Sequence, residues 1–232
     1  MAGSVVVVGG SAGLGKAIAR HYVDQGRQVV LTSRDQARAE TAAGEVGGSA
    51  RGVAVDLTRP HEIADALADV GPVQYVVVAA VERDENTIKD YDVDGATNLS
   101  TLKLVGYPAV VSALVDRFTD DAAVVFFGGL AKDRPYPGST MVSTVNGAMM
   151  TLINTLAVEL APIRFNTIHP AVVGDSPYWE NKPPQVLEAI RSRTPTGRLV
   201  STAEIVHAVA FLLENGSVNA VNLVVDGGSL VG

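Results

Sequence analysis

With 232 residues, 47% hydrophobic side chains and no Pro/Gly/Ser-rich linker, the chain can bury one α/β core, and a single domain over 1–232 is expected. A formal net charge of −7 without a Lys/Arg-rich run argues against nucleic acid, and four histidines without paired spacing argue against a metal site. The lack of cysteine excludes disulfides, thiolate metal sites and cysteine nucleophiles, and suits a cytoplasmic location.

In chain order, the start Met1-Ala2-Gly3-Ser4 carries no basic residue before its apolar run, so no signal peptide is expected. Apolar, β-branched runs predict strands at 4–8, 28–32, 51–55, 74–79, 122–127, 163–168 and 221–225. Between them, helices are predicted at 14–25, 36–46, 60–69, 97–118, 140–160 and 202–214, with a short one near 185–193. The apolar runs are too short to cross a bilayer, and no membrane partner is expected. Strands alternating with helices indicate parallel pairing through right-handed crossovers. The expected fold class is therefore α/β, a single-domain Rossmann fold with a doubly wound, seven-stranded parallel sheet. Its ligand crevice opens at the carboxyl ends of the strands. The proline-rich stretch from Ser176-Pro177 to Pro183-Pro184 falls after the sixth strand, where a lid would sit.

The first strand runs directly into Gly9-Gly10-Ser11-Ala12-Gly13-Leu14-Gly15 and then a helix. Glycines there let the backbone bend sharply, so that free N–H groups and the helix N-terminus can meet a pyrophosphate. Gly9, Ser11, Ala12, Gly13, Leu14 and Gly15 are the candidate cradle. The second strand ends in Thr32-Ser33-Arg34, without the acid that would hold the ribose hydroxyls of NAD. Ser33 and Arg34 suit a 2′-phosphate instead, which favours NADP(H).

On these residues the chain resembles the short-chain dehydrogenase/reductases, whose first turn reads T-G-x-x-x-G-x-G, with Val8 in the place of the threonine. The segments Ile163-Arg164-Phe165-Asn166-Thr167-Ile168-His169-Pro170, Pro195-Thr196-Gly197-Arg198-Leu199 and Val224-Val225-Asp226-Gly227-Gly228 are similar to the family's later patterns, so the resemblance spans essentially the whole chain. It implies that Asp56 and Leu57 contact adenine and that Ala79 follows the fourth strand beside the cofactor. It further implies that Asn146 reaches a ribose hydroxyl, that Pro170 and Val172 form the turn beneath the nicotinamide, and that Ser176 contacts the carboxamide.

The resemblance also exposes what is missing. The family moves a proton with a tyrosine and a lysine four residues later, aided by a serine and an asparagine. Alignment puts Val142, Asn146, Gly129 and Lys103 at those positions, and Val78-Ala79-Ala80-Val81 in place of Asn-Asn-Ala-Gly. Without a substitute, the loss of acid–base help costs about 10²–10⁴-fold in rate. Lys103 and Tyr107 share one helix face and are candidates to donate a proton or stabilise an oxyanion. His169 after the sixth strand is a third, by its ordinary pKa range. The plainer alternatives are a lysine tying loop carbonyls together and a hydrogen-bonded structural histidine. The match Tyr178-Trp179-Glu180-Asn181-Lys182 lies in the lid, not the long helix, and is discounted as the motif; Tyr178 and Trp179 fit better as cover over a substrate or the cofactor, and Tyr136, in the loop after the fifth strand, is another phenol within reach of the pocket or else a loop-packing residue.

These readings lead to an NADP(H)-dependent oxidoreductase acting on a small organic molecule: a carbonyl, an imine or an activated alkene. A cofactor-binding regulator or structural subunit, and a lyase or isomerase on the same scaffold, remain as alternatives. A homodimer or homotetramer is expected through helices 97–118 and 140–160, which look apolar beyond one face at Val110-Val111 and Met149-Met150.

Overall fold

The run Ser4–Val8 forms β1 with every residue buried, which alternating side chains can achieve only inside a sheet covered on both faces. In the computed structural model, which describes residues 3–82 and 85–232, the further strands are β2 Val29–Ser33, β3 Ala50–Ala54, β4 Val73–Val78, β5 Phe118–Phe127, β6 Arg164–Pro170 and β7 Asn222–Val225. Met1 and Ala2 of the N-terminal run lie outside the described residues. The seven strands pair in parallel in the order β3-β2-β1-β4-β5-β6-β7, so the chain forms the doubly wound α/β sheet expected of it. The order reverses between β1 and β4, and the crevice lies beyond their carboxyl ends.

The helices are α1 Gly13–Asp24, α2 Gln36–Val46, α3 Ile63–Ala66, α4 Val93–Ser100, α5 Tyr107–Leu114, α6 Thr140–Glu159, α7 Pro177–Glu180, α8 Pro184–Arg191 and α9 Thr202–Glu214. Val5 and Val7 of β1 join a core with Ile18, Tyr22 and Leu212, under α1 and α9. Val6 and Val8 join the opposite core with Tyr107, Val110, Met149 and Ile153, under α5 and α6. The period-2 alternation of one strand thus feeds two helix layers.

The helix predicted over 97–118 is broken in an informative way. It starts at Val93, passes through a π-helical turn at Thr101–Gly106, and ends with α5 at Leu114, while Phe118 already belongs to β5. Pro108 supplies no N–H to the carbonyl of Leu104, and its ring crowds that oxygen, so the regular ladder cannot continue and the helix widens there. The helix predicted over 60–69 shrinks to a 3₁₀ turn at Pro60–Glu62 followed by α3.

The predicted contact surface also changes. Val110, Val111 and Met149 are buried within the chain: α5 packs against α3 as well as the sheet, and Met149 of α6 joins the same core. Leu104, Val105, Met150 and Val158 are the exposed apolar residues of this region. Two helical stretches, Val93–Arg117 and Thr140–Glu159, are long and apolar enough to cross a membrane by length and composition alone; both lay one side against the sheet.

One buried cation ties the far side of the sheet together. Arg164 on β6 donates to the carbonyls of Leu212 and Val218, each at 2.9 Å, and to that of Leu213, which closes the carboxyl end of α9. Replacing it strands the Leu213 carbonyl and leaves those of Leu212 and Val218 to the Asn166 amide alone, at 3.4 and 3.1 Å. Arg164→Met is expected to lower the unfolding free energy by about 3 kcal/mol, read as an earlier urea midpoint with unchanged slope; an unmoved midpoint would contradict this account.

Candidate active site

A cavity of about 680 Å³ opens where the strand order reverses. Gly9, Ser11, Ala12, Gly13, Leu14 and Gly15 all line it. The turn depends on missing side chains: Gly9 has φ +81°, and a Cβ at Gly15 would stand 2.3 Å from the Gly9 carbonyl oxygen. Helix α1 therefore starts close beneath β1, and its Ala12 cap offers no side-chain acceptor. The N–H groups of its first turn stand at the cavity without intrahelical partners, and the helix dipole adds positive potential. This cradle fits an anionic phosphate.

At one end of the cavity stand Ser33, Arg34, Asp56, Leu57 and Ala79, all anticipated from the sequence. Ala79 is fixed by its N–H, which donates to the Val8 carbonyl at 2.8 Å. One carboxylate oxygen of Asp56 accepts from the Thr58 N–H at 2.9 Å and its hydroxyl at 2.7 Å. Two charged residues here escaped the sequence reading. Arg38, in the first turn of α2, lines the same end, and its spacing of four from Arg34 was the available signal. Glu82 also lines the cavity and lies 3.9 Å from the Arg34 guanidinium.

The other end is built around Lys103. The π turn carries this side chain inward, and the residue is 2% exposed on the cavity wall. Its Nζ donates to the Phe127 carbonyl at 2.8 Å and to Asn146 Oδ1 at 2.7 Å. Among the described residues it forms no ion pair. Burial alone pulls the amine down to about 7. Gly129, Val142, Asn146, Pro170, Val172 and Ser176 line the same region, and Ser176 Oγ donates to the Val173 carbonyl at 2.8 Å.

Tyr107 and His169, the other two candidates, do not line the cavity. Tyr107 is fully buried; its hydroxyl donates to the Ala80 carbonyl at 2.9 Å, and burial pushes the phenol far up. It shares a helix with Lys103, but the wide turn between them directs it into the core. His169 is fully buried too: Nδ1 accepts from the Gly129 N–H at 3.1 Å and Nε2 lies 3.1 Å from Asn222 Oδ1. Burial lowers its pKa, which keeps the ring neutral with both nitrogens engaged. Tyr136, Tyr178 and Trp179 do line the cavity, while Lys182 rests its ammonium over the Tyr178 ring at 4.4 Å.

Comparison with known proteins agrees with this architecture. Residues 8–229 match the family model described as enoyl-(acyl carrier protein) reductase. The chain is 28% identical over 229 residues to the 3-oxoacyl-(acyl-carrier-protein) reductase of Mus musculus, covering 96% of this chain and 95% of that protein. It is 31% identical over 238 residues to the L-xylulose reductase of Bos taurus, covering 97% and 95%. Among solved structures, a short chain dehydrogenase/reductase family protein superposes with a TM-score of 0.85 at 29% identity, covering 99% of this chain and 97% of the other.

The buried amine has a signature independent of any reaction. Its folded pKa lies below the 10.5 of the unfolded chain, so between pH 7 and 10.5 the unfolded state binds the extra proton and stability rises with pH. Below that window both states are protonated and the contribution is flat. Urea unfolding at a series of pH values is expected to show this rise in the native protein and to lose it in Lys103→Met; identical slopes would mean that the amine titrates normally.

Proposed function

The chain belongs to the short-chain dehydrogenase/reductase family, and from that membership we propose an NADP(H)-dependent oxidoreductase that reduces a small organic substrate, with Lys103 as its proton-handling group. The substrate class is a carbonyl, an imine or an activated alkene. Reduction is supported by the names of the two relatives, and a dinucleotide by the cradle at Gly9 to Gly15. In this reading the pyrophosphate is held by the first turn of α1, and the adenine by Asp56 and Leu57. The nicotinamide side is held by Pro170, Val172 and Ser176. Arg34, with Arg38 beside it and no acid at the end of β2, suits the 2′-phosphate that separates NADP(H) from NAD. When bound, the cofactor supplies the hydride.

The observation that carries the proposal is the unpaired amine on the cavity wall. Two of its N–H bonds are fixed by the Phe127 carbonyl and Asn146 Oδ1. A tetrahedral nitrogen then has one position left, which bears the third proton of the ammonium or the lone pair of the amine. Proton gain and loss at that position leave the two fixed bonds in place. An amine titrating near neutrality is matched to this task. Val142, Asn146 and Gly129 align with the family's tyrosine, lysine and serine, and Lys103 is the buried proton-exchanging group on this wall, whereas the Tyr136 and Tyr178 phenols that also line the cavity are exposed. Tyr107 and His169 then act as supports of the wall rather than as acids. We further read the protein as cytoplasmic and as a homodimer or homotetramer, assembled through the side that exposes Leu104, Val105, Met150 and Val158.

Loss of the reduced nicotinamide absorbance, followed with NADPH and a panel of ketones, imines and enones, tests the activity. Oxidation of NADPH by a member of the panel is the expected result; tight binding without oxidation would favour a regulatory subunit. Lys103→Met is expected to lower turnover at least about tenfold with NADPH affinity nearly unchanged, and equal turnover would remove Lys103 from the chemistry. Arg34→Ala is expected to weaken NADPH much more than NADH in calorimetry; parallel losses would contradict the 2′-phosphate contact.

A further inference from the structure

Behind Lys103, residues from three elements depend on one another. The lysine comes from the π turn, Asn146 from α6 and Gly129 from the turn after β5. The amine N–H needs an oxygen acceptor, so its 2.7 Å bond to Asn146 Oδ1 fixes which end of the carboxamide faces Lys103. The nitrogen end is thereby placed over residue 129, where an added Cβ would stand 2.8 Å from Nδ2. That is shorter than any ordinary carbon–nitrogen contact, so a side chain at 129 must displace the carboxamide and, through it, the amine.

We propose that Asn146 is a positioning residue for the Lys103 amine, and that residue 129 is glycine because the Asn146 carboxamide occupies the space above it. The proposal rests on the reading of Lys103 as the proton-handling group. It goes further by naming what aims that group and sets its charge. The surroundings leave few alternatives. The Tyr107 ring centroid lies 5.5 Å from Nζ, and the phenol is held neutral by burial. His169 sits behind Gly129 as a neutral ring. The Lys132–Asp133 pair belongs to the helical turn that follows Gly129. Among the described residues no carboxylate pairs with Lys103, so its acceptors are the Phe127 carbonyl and the Asn146 carboxamide. Only the second is a side chain.

The test reads the Lys103 titration itself, by the pH dependence of its ¹³Cε resonance, in the protein without cofactor or substrate and assigned against Lys103→Met. Asn146→Ala removes an acceptor that favours the ammonium, and the midpoint should fall by roughly half a pH unit or more. Asn146→Asp puts a carboxylate at the same place, and the midpoint should rise by about two pH units. Gly129→Ala should reproduce the fall seen in Asn146→Ala, and the double variant should go no further than either alone. A Gly129→Ala protein with the native midpoint, or two effects that add, would overturn the proposal. If Gly129→Ala does not fold, an Asn146→Asp midpoint at the native value overturns it equally. Midpoints that move as expected, beside a turnover pH profile that ignores them, would uphold the positioning role and remove Lys103 from the chemistry.

Discussion

Burying one amine without a counter-ion is the constraint around which this site is organised. An ammonium taken out of water is costly unless paired, and the group responds by giving up its proton more readily. The protein answers with neutral acceptors in place of a carboxylate: the Phe127 carbonyl, at the end of β5, and the Asn146 carboxamide. The neighbouring Tyr107 hydroxyl donates to the Ala80 carbonyl just past β4 and lies 3.4 Å from that of Phe127. Two residues of one helical stretch thus hold the carboxyl ends of β4 and β5. The wide turn at Thr101–Gly106 lies between them, and both side chains are buried, Lys103 at the cavity wall and Tyr107 in the core behind it. In this account Pro108, which touches neither the cavity nor a ligand, belongs to the site through the geometry it forces on the helix.

The same sheet sets the electrostatics of the other end. A chain with a net charge of −7 gathers at this cavity Arg34, Arg38, Lys103 and the open N-terminus of α1. The same lining holds Arg198 and the carboxylates of Asp56, Glu82 and Asp226, so four basic side chains nearly balance three acidic ones, and an anion is best met locally, at the Arg34–Arg38 corner and the helix N-terminus. Glu82 is the counterweight, close enough to the Arg34 guanidinium to compete with an incoming phosphate for it. That competition is weak, since the pair is partly exposed and separated by 3.9 Å.

How much of this the sequence disclosed follows from the range of each cause. Strand positions were legible because a strand buried on both faces must be largely apolar, as β1 and β4 are apart from Ser4 and Gln74. The glycine turn was legible because its requirement is local: a sharp bend and close approach within seven residues. The break in the helix after Val93 was missed although Pro108 stood in plain view, because the surrounding apolar residues keep a helical period on both sides of it. Arg38 was missed because nothing in a sequence says that the first turn of α2 faces the same cavity as the end of β2. Val110 and Val111 looked surplus to one helix face because the contact of α5 with α3 is a tertiary fact, and Met149 because the packing of α6 against β6 and α4 is another.

In the proposed reading, the departures from the family pattern can be weighed by what they leave behind. A site that loses its residues singly keeps the partners of the lost groups, and those partners stand buried without hydrogen bonds. Among the described residues the one buried side-chain atom without a partner is Thr167 Oγ1, which is not part of the cavity wall. Lys103, Tyr107, Asn146 and His169 each have their acceptors or donors, and the space that a side chain at 129 would need is taken by a carboxamide that holds an amine. Bonds that link four elements in this way fit the proposed reading of a wall repacked around a different group. It explains why restoring the family's serine at 129 or lysine at 146 by itself would disturb the arrangement: a side chain at 129 meets Asn146, and a second lysine at 146 would place two amines against each other in a space that burial already makes hostile to one.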